Sequence, residues 1–345
     1  PYHIFSYAEP AEKIGDRHAL WEALCTYALC RYLNCHYPTP QTGKALKCVR
    51  NFFAPLESKD TFFDDNGSLF WFNTSIAPLY YYTLLSGTRS PAVMATLKRL
   101  AAGQTTLVNG FDNDWATGFA SNEHMMKMAY LLDDRAFVDV ARKTGFRPDR
   151  LMLGQSFLPE KPYSGDSLAE QVGSWNFCIR PPEKNEPVDS STKKHFFFCN
   201  YRSEAGPGGD FLLLDGSHEP GRNIYHCLAL LGLRLGGVPL LAGYHNQVSI
   251  FNDGMYDLRF PKFTELEKAV TLGDTAWFQG VIPDYNGYRL KRTIWLERGR
   301  FAIFADTVAA EKPGKNAALE IGWEFAEGLQ ARLKPGDEVE LFRDE

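Results

Sequence analysis

The sequence predicts an α+β chain whose helices and strands are segregated rather than interleaved. Three observations carry that expectation. Apolar residues recur at helical spacing up to about residue 160, they alternate with polar ones from His195 onward, and a Pro-, Lys-, Glu- and Ser-rich stretch separates the two patterns. With 345 residues, 44% of them hydrophobic and 14% aromatic, the chain can bury more than one core. Two domains are therefore expected, a helical one over 1–180 and an antiparallel β one over 195–345.

The first helix is predicted from Asp16 to Leu33, where Leu20, Leu24 and Ala28 recur at four-residue steps with Tyr27 beside them. Ser90-Pro91 supplies an N-cap and a first-turn proline for a helix from Ala92 to Ala102. Ser121 caps another, whose Met125, Met128, Ala129 and Leu132 fall on one side. The pattern then collapses between Pro159 and Lys194, most clearly at Arg180-Pro181-Pro182-Glu183-Lys184-Asn185-Glu186-Pro187, which is taken as the interdomain connection.

Short strands are expected at His195 to Arg202, Phe211 to Asp215, Leu228 to Leu235, Val248 to Phe251, Thr293 to Glu297 and Phe301 to Val308. Arg298-Gly299 marks a hairpin turn between the last two, and the pattern continues from Leu319 to Phe325. The start, Pro1-Tyr2-His3, carries neither Met nor a leader pattern, so the chain reads as cut there and as truncated at Glu345.

Charge and motifs narrow the function. A formal net charge of −5 gives no basic footprint, so no nucleic-acid partner is expected. Without an uncharged apolar run of about 18 residues, no membrane insertion is expected either. The seven cysteines, Cys25, Cys30, Cys35, Cys48, Cys178, Cys199 and Cys227, are odd in number and form no CxxC pair, so buried thiols are expected rather than a disulfide framework or zinc ribbon. GxGxxG after a strand, GxxxxGK[ST], HExxH and GxSxG are all missing, which removes nucleotide, zincin and α/β-hydrolase classes.

What remains is a polar pair, His245-Asn246, just before the alternating run Val248-Ser249-Ile250-Phe251 and the turn at Asn252-Asp253-Gly254. Tyr285, Tyr288 and Arg292 follow downstream. The arrangement resembles the His-Asn-Thr strand of the heparinase II/III-like polysaccharide lyases. Other segments resemble that family in order: Asp16-Arg17-His18-Ala19-Leu20, then Asn66-Gly67-Ser68 with Ser75 and Tyr80-Tyr81-Tyr82, then Asn109-Gly110-Phe111-Asp112-Asn113-Asp114. Val238-Pro239-Leu240-Leu241-Ala242-Gly243 and Tyr285…Tyr288…Arg292-Thr293…Asp306-Thr307-Val308 continue the series, so the likeness runs from about residue 15 to 325.

The resemblance implies an incomplete α/α toroid followed by an antiparallel β-sandwich, with the substrate, an acidic polysaccharide or oligosaccharide, held in a cleft between them. It also implies a lyase that cleaves a uronic-acid-containing glycan by β-elimination, in the periplasm or after secretion. Such chemistry needs the sugar carboxylate neutralised while a proton leaves C5, and Tyr or His groups to move protons, each contributing roughly 10²–10⁴-fold. On the resemblance, Tyr80, His245 and Tyr285 are the catalytic candidates. His18, Arg17, Tyr81, Asn246, Tyr288 and Arg292 are the substrate-binding candidates. No cofactor is expected; the family's His-x-His-x-Asp segment, part of a zinc site in some members, is represented only by Tyr225-His226-Cys227, which leaves His226 as a lone metal-ligand candidate.

Plainer roles stand beside these. Tyr80-Tyr81-Tyr82 could be packing between helices, Arg292 a brace for Asp306, and His245-Asn246 a hydrogen-bonding pair at a strand end. Two other function classes also fit: a glycoside hydrolase on a similar toroid, for which Asp112, Asp114 and Glu123 are the carboxylate cluster, and a non-catalytic glycan-binding relative, consistent with Arg17 and Trp71 at positions where the family differs.

Overall fold

The computed structural model describes residues 17–58, 69–98, 122–138, 172–179, 194–204, 208–216, 228–243, 246–252, 264–310, 317–336 and 338–342. The class is α+β. Two compact units divide the chain, and the described helices fall in the first while the described strands fall in the second.

In the helical unit, α1 (Arg17–His36) buries Leu20, Ala23, Leu24, Tyr27 and Cys30, the stripe that three- and four-residue steps place on one side. Next comes α2 (Pro40–Ser58), which begins at an unpredicted cap: the Thr39 hydroxyl accepts from the Thr42 N–H at 3.1 Å, and the Thr42 hydroxyl accepts from the Thr39 N–H at 2.9 Å. Thr39-Pro40 thus repeats the Ser-Pro logic of Ser90-Pro91, where the Ser90 hydroxyl accepts from Val93 N–H at 3.3 Å and residues 91–98 are helical. Two further helices are α3 (Leu69–Ser86) and α4 (Asn122–Leu132). Ser75 and the three tyrosines, which resembled a loop motif, therefore sit within a helix. Helix α1 packs against α2 and α3, and α3 against α4. Their joint is aromatic: Phe53 stacks on Tyr82 with ring centroids 3.9 Å apart, and Tyr27 meets both edge-on at 6.1 and 5.2 Å. Of the expected α4 stripe, Met128 and Ala129 are buried and Leu132 half-buried.

The strand unit comprises β1 (Ser174–Ile179), β2 (Lys194–Arg202), β3 (Phe211–Asp215), β4 (Leu230–Leu235), β5 (Val238–Ala242), β6 (Val248–Asn252), β7 (Thr264–Leu272), β8 (Thr275–Tyr285), β9 (Tyr288–Glu297), β10 (Phe301–Ala310), β11 (Ala317–Ile321), β12 (Gln330–Lys334) and β13 (Glu338–Phe342). Antiparallel pairing links nine of them in the order β10-β9-β8-β7-β2-β3-β4-β5, with β1 on β2. The pairs β6–β11 and β12–β13 stand apart from that ladder. One core underlies the large sheet, holding Leu212, Leu214, Leu230, Phe278, Ile294 and Leu296, and Val248 and Ile250 of β6 belong to the same core. The Arg298-Gly299 turn joins β9 to β10 as expected, with Glu297 opposite Phe301.

Two expectations change. Residues 174–179, which fall within the Pro159–Lys194 stretch read as the connection, are β1 and pair with β2 from Ser174↔Arg202 onward. Of the five cysteines whose side chains are described, Cys30 and Cys199 are buried, Cys48 is half-buried, and Cys25 and Cys35 are exposed. Burial pushes both buried thiols up, helped by Cys48 beside Cys30 and by the Asp215 carboxylate near Cys199.

One brace holds the loop ends of the sheet. Asp210, 2% exposed, accepts from Gly236 N–H at 2.6 Å and from Gly299 N–H at 2.7 Å, tying the β4–β5 and β9–β10 turns together. Asp210→Ala is expected to strand both donors and lower stability by about 1–3 kcal/mol, measurable by urea denaturation. An unchanged midpoint would show that water replaces the carboxylate.

Candidate functional site

The segment between β5 and β6 carries the sequence's principal candidates, and its flanks are locked. Gly243 adopts φ +97°, a conformation that side chains rarely take, and the Glu324 carboxylate lies where a Cβ would project. Asn246 is fully buried. Its amide nitrogen donates to Leu230 O at 2.9 Å and to Gly243 O at 3.3 Å, while its side-chain oxygen accepts from Glu324 N–H. Its own carbonyl accepts from Leu230 N–H at 2.9 Å. One side chain thereby joins β4, the turn after β5 and the 322–326 segment, which also pairs with β5 through Ala242 N–H to Glu324 O at 3.1 Å.

Arg292 completes this lock from β9. It is 1% exposed and opposite Asp306 in the β9–β10 register. Nε and Nη2 donate to the two Asp306 carboxylate oxygens at 2.8 and 2.9 Å, and Nη1 donates to Leu228 O at 2.7 Å and Asn246 O at 3.1 Å. A buried guanidinium is costly unless its donors are satisfied, and here a fork-to-fork pair plus two carbonyls provide that. Expected as a substrate contact, Arg292 makes the bonds of the bracing role to Asp306 and two carbonyls. The side-chain amide of Asn246 is likewise bonded within the fold.

Tyr285 and Tyr288 flank a two-residue hairpin turn. Asn286 and Gly287 both have positive φ, 55° and 86°, the signature of the Asn-Gly turn whose twist suits paired strands. The Asn286 amide donates to Ile250 O at 2.8 Å, fastening the turn to β6. Tyr285 is 3% exposed and Tyr288 8%, and both belong to the apolar core. Expected as a proton-transfer group and a substrate contact, both side chains pack at the β8–β9 turn.

On α3 the three tyrosines separate cleanly, since successive helical residues point about 100° apart. Tyr80 is fully buried, and burial pushes its phenol above the usual tyrosine range. Sealed and held protonated, it is poorly suited to the proton-transfer role expected of it. Tyr82 donates to Glu57 Oε1 at 2.7 Å and stacks on Phe53; burial first, then that hydrogen bond, raises its phenol too. Tyr81 alone is half-buried, with the Lys127 ammonium 4.1 Å from its ring centroid and Trp21 6.2 Å away at 52°.

Several candidates cannot be placed. His245, His226, Asp112 and Asp114 lie outside the described residues, as do the side chains of Arg17, His18 and Glu123, although Arg17 and His18 open α1 and Glu123 stands in α4. Among the described residues no three His, Cys, Asp or Glu side chains gather as a metal would require, and no helix is long and apolar enough to cross a membrane. Lys127, Trp21 and Glu324 escaped the sequence reading because only tertiary packing brings them to Tyr81 and Asn246.

Neither a family model nor a curated protein matches the sequence. Solved structures do match in fold. Heparinase III superposes with a TM-score of 0.57 at 11% identity, covering 92% of this chain and 50% of its own. The heparan sulfate lyase HepC from Pedobacter heparinus gives 0.55 at 12%, covering 94% and 50%, and a mutant of it gives 0.56 at 10%, covering 95% and 50%. The chain thus has a heparinase-like fold and spans about half the length of the solved structures it resembles.

Proposed function

We propose that this chain is part of a polysaccharide lyase that cleaves a uronic-acid-containing acidic glycan by β-elimination, and that it acts in the periplasm or outside the cell. The observation that carries this proposal is the fold likeness to heparinase III and HepC across nine-tenths of the chain. In this account the helical unit is part of an α/α toroid and the large sheet, with β6–β11, part of a β-sandwich.

The residues then take these roles. Arg17 and His18, at the start of α1, neutralise the sugar carboxylate so that charge can build on it as the C5 proton leaves. The C5–H electrons form the C4–C5 double bond, the C4–O bond breaks, and the departing oxygen takes a proton. His245 is one proton-transfer group. Tyr81 is the other, because Tyr80 is sealed and Tyr82 is bonded to Glu57. Arg292, Asp306, Asn246 and Tyr285 position the strand unit rather than touch sugar.

Screening heparan sulfate, hyaluronan, alginate and neutral dextran for new absorbance near the ultraviolet edge tests the proposal. An unsaturated product from at least one acidic polymer and none from dextran is expected. Reducing ends without absorbance would instead mean hydrolysis, and glycan binding without either would mean a non-catalytic relative. A narrower prediction separates the tyrosines: Tyr81→Phe lowers kcat by roughly 10²–10⁴-fold, whereas Tyr80→Phe leaves kcat near the parent value. The reverse result would return the proton to Tyr80.

A further inference from the structure

The outward face of β7 to β10 departs from what an exposed antiparallel face should carry. One side of β8 and β9 feeds the core through Phe278, Ile294 and Leu296, so alternation turns Trp277 and Trp295 the other way. Trp277 lies directly opposite Trp295, and Trp295 directly opposite Ile303, forming one row across β8, β9 and β10. Trp295 is 50% exposed and Ile303 54%. A contiguous apolar row where polar residues ordinarily stand marks a contact surface.

Its polar neighbours indicate what it contacts. One step along the same face, Gln279 pairs with Thr293, and its amide donates to the Thr293 hydroxyl at 3.2 Å. The Lys268 ammonium sits 4.6 Å from the Trp277 ring centroid, and Lys291, two residues before Thr293, projects from the same side of β9. Glu297, the carboxylate of this face of β9, accepts the Thr275 hydroxyl at 2.7 Å. Indoles for the C–H faces of sugar rings, an amide and a hydroxyl for sugar hydroxyls, and two lysines for carboxylate or sulfate form one complementary set.

We infer that the Trp277–Trp295 face is a secondary binding platform for an acidic oligosaccharide, a site separate in residues from those proposed for elimination; its ligand class rests on the lyase proposal above. A second copy of the chain fits it less well, since a face-to-face contact brings two lysine-bearing faces of like charge together. Holding part of a polymer here raises the local concentration of its cleavable bonds without altering the chemistry on a short substrate.

The test uses the whole chain with heparan sulfate as probe, dextran as the neutral control, and light scattering to follow oligomeric state. Trp277→Ala with Trp295→Ala is expected to weaken heparan sulfate binding by about thirtyfold, the loss that removal of an aromatic hot spot commonly brings. Lys268→Gln with Lys291→Gln weakens it and flattens its salt dependence, and this pair keeps the test alive should the tryptophan variant misfold. Both leave cleavage of a tetrasaccharide unchanged, and His245→Ala leaves polymer binding unchanged. Parental binding in a folded tryptophan or lysine variant overturns the platform. A change from dimer to monomer with polymer binding intact also overturns it and identifies an interface between copies. Tryptophan-dependent polymer binding without unsaturated product from any glycan sinks the lyase proposal and keeps the platform, while unsaturated product with binding indifferent to these residues does the opposite. Absence of both refutes both.

Discussion

Replacing Arg292 with alanine is expected to loosen the strand unit, not to weaken substrate affinity. The guanidinium is 1% exposed and its side-chain partner Asp306 11% exposed, so the alanine variant leaves a largely buried carboxylate and two buried carbonyls without their donor. Breaking such a pair typically costs about 3–5 kcal/mol. For a unit of this size that corresponds to a fall in Tm of roughly 6–20 °C. Arg292→Lys keeps the charge but cannot reproduce the fork, and is expected to fall between the two. Calorimetry beside steady-state kinetics reads the outcome. A parental Tm with a raised KM would show that Arg292 reaches substrate after all.

The second large effect separates two adjacent residues. His245→Ala is expected to lower kcat by roughly 10²–10⁴-fold with a thermal midpoint near the parent's, since an imidazole that moves protons contributes mainly in the transition state. Asn246→Ala should behave in the opposite way. Its amide bonds to Leu230 O and Gly243 O are buried and that to Glu324 N–H part-buried, so stability falls by about 1–3 kcal/mol and any loss of turnover follows from the loosened loop. If both variants lose stability and turnover together, His245 is structural, and the proposed division between lock and chemistry is wrong.

Much of the fold was legible because it is written locally. The change of period placed helices before strands, Ser90-Pro91 announced its helix, and Arg298-Gly299 announced the β9–β10 hairpin. Strand β1 was missed because Trp175 to Ile179 is a short run beside a Pro- and Lys-rich stretch, and its six pairings lie in β2, 17 to 28 residues away in sequence. Strands β7 and β8 were missed although Gly273-Asp274 separates two extended runs, because Glu265, Glu267 and Lys268 obscure the alternation. At the candidate site the polar residue types were visible but their partners were not. Arg292 is bound to carbonyls 64 and 46 residues away, and nothing local distinguishes a buried brace from a substrate clamp. The three tyrosines could have been separated earlier, since three successive helical positions cannot share one environment.

The central claim is elimination, and the stoichiometry of ends tests it most directly. Incubating the protein with the acidic polysaccharide that it degrades, and counting ultraviolet-absorbing unsaturated ends against new reducing ends, should give one of each per bond broken. Reducing ends accumulating with no unsaturated ends would contradict the account, because hydrolysis leaves no double bond at C4–C5.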